Sequence, residues 1–90
     1  MSHVQVVLSP QATRDLKKLD HKDVSRVLIK IEENTLLPNP LLRAKALTGI
    51  LTGLYRYRIG NYRAVFSVTP DNQIIIYTIL TIKHRKDVYR

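Results

Sequence analysis

LYRYRIGNYRAVFSV, residues 54–68, alternates two residue classes at a period of two, the spacing that sends side chains to opposite faces of a β-strand. From Leu54 to Ile59, Tyr55, Tyr57 and Ile59 share one face, and Arg56 and Arg58 share the other. Gly60-Asn61 then gives a two-residue hairpin signal. Tyr62 to Val68 returns with Tyr62, Ala64, Phe66 and Val68 on one face and Arg63 on the other. A hairpin closed at Gly60-Asn61 pairs Ile59 with Tyr62, Arg58 with Arg63, and Arg56 with Val65. One face of this hairpin is therefore expected to be aromatic and packed in the core, the other cationic.

The rest of the chain is placed around that hairpin. Thr69-Pro70-Asp71-Asn72 suits a type I turn with proline at its second position. Gln73 to Ile82 is apolar on both faces, as expected of a central strand covered on part of each side. Upstream, His3 to Leu8 alternates loosely and predicts a short first strand. Ser9-Pro10 is a helix start, a serine cap followed by proline at the first helical position. Ala12, Leu16 and Leu19 form the stripe of that helix, with Arg14, Lys17 and Lys18 facing water. Asp20 caps a second helix, whose Val24, Val27, Leu28 and Ile31 fall at i, i+3, i+4 and i+7. Pro38 and Pro40 stop it, because each lacks an N–H and biases its predecessor to extended geometry. Leu41 to Gly53 carries only a weak pattern, a short turn or loop reaching the sheet through Leu47. The expected fold is α+β: one domain over residues 1–90, ordered β-α-α-β-β-β. A small twisted antiparallel sheet carries a two-helix hairpin on one face.

Composition limits what such a domain does. Fifteen Lys and Arg against seven Asp and Glu give a net charge of +8. Residues 1–50 hold eight cations and five acids, a net of +3; residues 51–90 hold seven and two, a net of +5. The positive field is strongest where the strands lie, and a small basic domain attracts polyanions through counterion release. With no cysteine, disulfides and thiolate metal sites are ruled out. Neither an HExxH motif nor a clustered set of histidines and carboxylates is present, so no metal and no other cofactor is expected. The longest apolar run, Ile74 to Ile82, is far below the about 20 residues that span a bilayer, so no membrane partner is expected. MSHVQVVL has no cationic lead and long apolar core, which points to the cytoplasm.

The candidate site residues come from charge on a single face. Arg56, Arg58 and Arg63 crowd one side of the hairpin with no acid nearby, and like charges opposed on a sheet destabilise it. A bridging phosphodiester removes that penalty and suits the guanidinium fork. His84 stands among Lys83, Arg85 and Lys86 at the end of the last strand. An imidazole beside a phosphate site is a group able to move a proton near neutral pH. Tyr89, beyond the strand, offers a ring on which a base can stack.

The order KALTG (45–49), GLYRYRIGNYRAVFSV (53–68), an apolar strand and HRKDVY (84–89) resembles the RelE branch of the RelE/ParE toxin superfamily over nearly the whole chain. The resemblance implies a toxin of a type II toxin–antitoxin module, a metal-independent endoribonuclease that enters the ribosomal 30S A site and cuts mRNA. It also implies a cognate antitoxin that wraps and neutralises the toxin, with operator DNA met only through that complex. On this resemblance Arg58, Arg63, His84, Arg85 and Tyr89 are the catalytic candidates, while Arg56, Lys45, Lys83 and Lys86 bind RNA phosphates. Arg56 and Arg58 stand where the well-studied RelE pattern has lysines. Arginine stays protonated, so His84 becomes the candidate for proton transfer. The alternative within the superfamily is a ParE-type toxin, which poisons DNA gyrase and cuts no RNA.

Overall fold

Ser9 and Asp20 start the two helices as the sequence predicts. A computed structural model describes residues 3–71 and 74–88. Its elements are β1 (His3–Leu8), α1 (Pro10–Lys17), α2 (His21–Thr35), β2 (Ala44–Ala46), β3 (Tyr55–Ile59), β4 (Tyr62–Asp71), β5 (Ile74–His84) and α3 (Arg85–Val88). Ser9 Oγ accepts from the Ala12 N–H at 3.0 Å, and Asp20 Oδ1 accepts from the Asp23 N–H at 2.9 Å. Each satisfies one of the N–H groups that a helix start leaves without a partner.

The five strands form one sheet in the order β1-β5-β4-β3-β2, antiparallel except for the parallel β1–β5 pair. The β3–β4 hairpin closes in the expected register: Ile59 opposite Tyr62, Arg58 opposite Arg63, Arg56 opposite Val65. Gly60 has φ 59°, a left-handed conformation that side-chain-bearing residues rarely adopt. A Cβ there would also stand 3.4 Å from the Arg26 guanidinium.

Both helices cover one sheet face. Ala12, Leu16, Val27 and Ile31 bury against Tyr57, Ile59, Ala64, Phe66, Tyr77, Ile79 and Ile82. Phe66 is the hub, with ring centroids 4.4 Å from Tyr57, 5.5 Å from Tyr77 and 5.9 Å from Tyr55. Burial, with the neighbouring Tyr77 adding, pushes the Tyr57 phenol well above its ordinary range. Its hydroxyl donates to the Pro40 carbonyl at 2.8 Å, so the buried polar end is satisfied. No helix among the described residues is long and apolar enough to cross a membrane.

Three departures from the sequence reading matter. First, Ala44–Ala46 is a short edge strand paired with β3, which places Lys45 opposite Arg56. Second, β4 runs through Thr69 and Pro70 to Asp71 instead of turning there, with Pro70 opposite Ile75. Beyond Phe66, β3 no longer accompanies β4, so that end of β4 is an edge where a residue lacking an N–H is tolerated. The remainder of the expected turn, Asn72 with Gln73, lies outside the described residues. Third, a β-bulge interrupts the β4–β5 pairing: Phe66 faces Ile79 and Val65 faces Thr81, so Leu80 is the extra residue.

Candidate functional site

On the sheet face away from the helices, strand alternation gathers the cations in two rows. Lys45 and Arg56 stand side by side on β2 and β3, and their row continues through Val65 to Thr81. Arg58, Arg63 and Lys83 form the next row, across β3, β4 and β5. Side chains directly opposed in an antiparallel sheet leave the backbone about 5 Å apart. Two unit charges at that distance repel by about 1–3 kcal/mol at effective dielectrics between water and a protein surface. Arg58, Lys45 and Lys83 are exposed and can splay into solvent.

Arg63 cannot. It is 4% exposed, at the centre of the row. One of its terminal nitrogens, Nη1, donates to the carbonyls of Tyr62 at 3.1 Å and Gly60 at 3.3 Å. Its Nε has no hydrogen-bond partner among the described residues, and neither has the buried Oγ1 of Thr81 in the adjoining row. The ion pairs among the described residues are Arg26–Asp23 and Lys30–Glu33, both on α2, so no carboxylate among those residues neutralises Arg63. A buried guanidinium flanked by two cations is a costly arrangement for an isolated fold, and an anion is the ligand that relieves it.

His84 takes the other face. The expectation that it stands beside the hairpin arginines is corrected by the β5 register, where it pairs with Tyr62. Their rings meet edge to face, with centroids 5.5 Å apart and planes at 85°. The bulge is the physical cause. Ile75, Tyr77 and Ile79 point to the core, so unbroken alternation would send residues 81 and 83 there too and put His84 with the arginines. The extra Leu80 shifts the phase, turning Ile82 and His84 to the helix side and Lys83 to the cationic side. His84 Nδ1 accepts the Lys86 N–H at 3.2 Å. Tyr62 in turn donates to Asp23 Oδ2 at 2.9 Å, and this bond, with burial adding, holds its phenol above the ordinary range.

Arg85 opens α3 and is exposed. Its backbone N–H donates to the Asn61 carbonyl at 2.6 Å, so the end of β5 is tied to the hairpin turn beside Arg63. Lys86 follows it, exposed, in the same short helix. Tyr89 lies outside the described residues.

The sequence reading missed Asp15. It is buried on α1, where Oδ2 accepts the Ile82 N–H at 2.9 Å and Oδ1 accepts from Gln11 Nε2 at 2.8 Å. β1 ends opposite Ile79, so the continuation of β5 has no strand on that side. α1 and its cap replace the strand: the Ser9 N–H donates to the Ile79 carbonyl and Ser9 Oγ to the Leu80 carbonyl. The signal was present, since Asp15 sits three residues after Ala12 and four before Leu19, on the buried stripe.

Residues 6–89 match the family described as the ParE toxin of the type II toxin–antitoxin system parDE. The chain belongs to the RelE/ParE toxin superfamily. Toxin RelG of Mycobacterium tuberculosis is 32% identical over 79 residues, covering 88% of this chain and 87% of that protein. Toxin RelE of the same organism is 31% identical over 85 residues, covering 94% and 84%. Among solved structures, the M. tuberculosis RelBE toxin–antitoxin complex contains a chain of TM-score 0.74 and 26% identity, with 94% of each chain covered. This chain is thus a toxin of a type II toxin–antitoxin system built on the RelE fold of two helices and a mostly antiparallel sheet.

Proposed function

We propose that this toxin is a ribosome-dependent endoribonuclease that cuts mRNA in the A site and so stops translation. The observation that carries the reading is the Arg58–Arg63–Lys83 row, whose central guanidinium is buried without a carboxylate partner among the described residues. In the reaction a ribose 2′-oxygen attacks its adjacent phosphorus, and the bond to the 5′-oxygen of the next nucleotide breaks, leaving a 2′,3′-cyclic phosphate. Arg58, Arg63 and Arg85 stabilise the charge that builds on the phosphoryl oxygens. Arg56, Lys45, Lys83 and Lys86 hold flanking phosphates. The 2′-hydroxyl proton passes to His84, reached round the end of β5, and the leaving 5′-oxygen takes a proton from water. Tyr89 stacks on the base to align the attack.

A cognate antitoxin is the proposed partner, supported by the RelBE complex in which a relative was solved. It would neutralise the basic face, and the pair would meet operator DNA together. The site of action is the cytoplasm, where ribosomes are. Expression in cells is the test: cuts within translated codons are expected, and these should vanish in the folded Arg85→Ala, His84→Ala double variant. Full cutting by that variant would overturn the mechanism. The matching family is described as a ParE toxin, which favours gyrase poisoning as the second reading. An SOS response with intact mRNA would establish it instead.

A further inference from the structure

On the helix side of Lys83 the fold leaves a cavity of about 200 Å³ between α1 and the end of β5. Lys18, Tyr62, Lys83 and His84 line it, with Asp15 and Ile82. Both carboxylate oxygens of Asp15 are already engaged, by the Ile82 N–H and by Gln11. Lys18 and Lys83 form no ion pair among the described residues. The lining therefore offers a ligand the Lys18 ammonium and the His84 imidazole, while Lys83 borders the cavity from the strand with its side chain turned to the arginine row. The volume is below the roughly 300–1,000 Å³ of pockets that bury a drug-sized molecule, so it admits one compact group and not a whole nucleotide. Lys83 belongs both to this cavity and to the arginine row on the other face.

We infer that the cavity is a second phosphate subsite, with Lys18 as its principal cation. This rests on the endoribonuclease reading and deepens it. The RNA backbone passes over the end of β5, one phosphate held at the Arg58–Arg63–Lys83 row and a neighbouring one at Lys18 on the helix side. His84 stands between the two, which accounts for a proton-transfer candidate on the face opposite the arginines. Lys18 is exposed at the C-terminal cap of α1, where only its backbone N–H is bonded, so replacing its side chain leaves the fold intact.

The test is binding of a short single-stranded 2′-O-methyl RNA, which lacks the attacking hydroxyl, to the full chain over a range of salt concentrations. Lys18→Ala should flatten the slope of log affinity against log salt by about 0.7, the contribution of one single-strand phosphate contact. Lys18→Arg should restore the slope, and Lys22→Ala, an exposed charge on α2, should leave it unchanged. A wild-type slope in Lys18→Ala overturns the subsite while leaving the arginine row in place. A wild-type protein with no salt-dependent affinity for the RNA also overturns the subsite, whereas intact mRNA in expressing cells overturns the endoribonuclease reading itself.

Discussion

The two faces of β3, β4 and β5 are made from the same strands and obey opposite rules. On the helix face, aromatic rings stack on Phe66, and buried polar groups find partners: Tyr57 has Pro40, Tyr62 has Asp23, and the Ile82 N–H has Asp15. On the other face, cations oppose cations, and buried Arg63 Nε and Thr81 Oγ1 have no partner among the described residues. Stability is built into the first face. The second accepts electrostatic cost of the kind that a bound polyanion removes.

The largest effect expected on the first face is from Phe66→Ala, which empties the hub of the aromatic cluster. It should lower stability by about 3–5 kcal/mol, measured by denaturant unfolding, a large share of the 5–15 kcal/mol typical of a domain. On the second face, Arg63→Met should cut mRNA cleavage by about 10²–10³-fold. Its thermal midpoint should hold or rise, because an unneutralised buried charge is replaced by an apolar chain. If the midpoint instead falls in step with activity, the two faces do not divide as described.

Asp15→Ala removes the acceptor that caps the end of β5 and should cost about 1–3 kcal/mol. Because Asp15 acts through strand position, cleavage per folded molecule should fall as well, which ligand-free unfolding curves and single-turnover rates can separate. Alkaline pH probes the helix face from another side. Tyr57, Tyr62 and Tyr77 are all held above their ordinary range, by burial for Tyr57 and Tyr77 and chiefly by the Asp23 hydrogen bond for Tyr62. Above a pH of about 10 the unfolded chain releases phenolic protons that the folded chain keeps. Stability should therefore be full below that pH and fall as pH rises past it, and Tyr57→Phe should flatten the decline. The smallest effect is Arg58→Thr, which relieves the repulsion with Arg63. It should raise stability by no more than about 1 kcal/mol while weakening RNA binding.

Much of this was legible in the sequence because its causes are local. Period-two alternation assigned Tyr57 and Phe66 to one face and Arg56, Arg58 and Arg63 to the other, since a strand offers only two directions. Gly60-Asn61 fixed the register, and Ser9 and Asp20 marked the helix starts by side-chain hydrogen bonds within three residues. Lys45 was harder, because three residues of edge strand carry too short a pattern to separate from loop. The end of β4 was misread because Pro70 signals a turn unless one knows that no strand lies beside it.

What the sequence determined by itself was therefore the class of fold, the hairpin and the charge of its outer face. The faces taken by Lys83 and His84 were decided only by the tertiary structure. They depend on an extra residue at Leu80, held by Ser9 and Asp15, which lie 71 and 67 positions away from the residues of β5 that they bond. No local rule could place it, because the groups that make a bulge tolerable come together only when α1 closes over the end of the sheet.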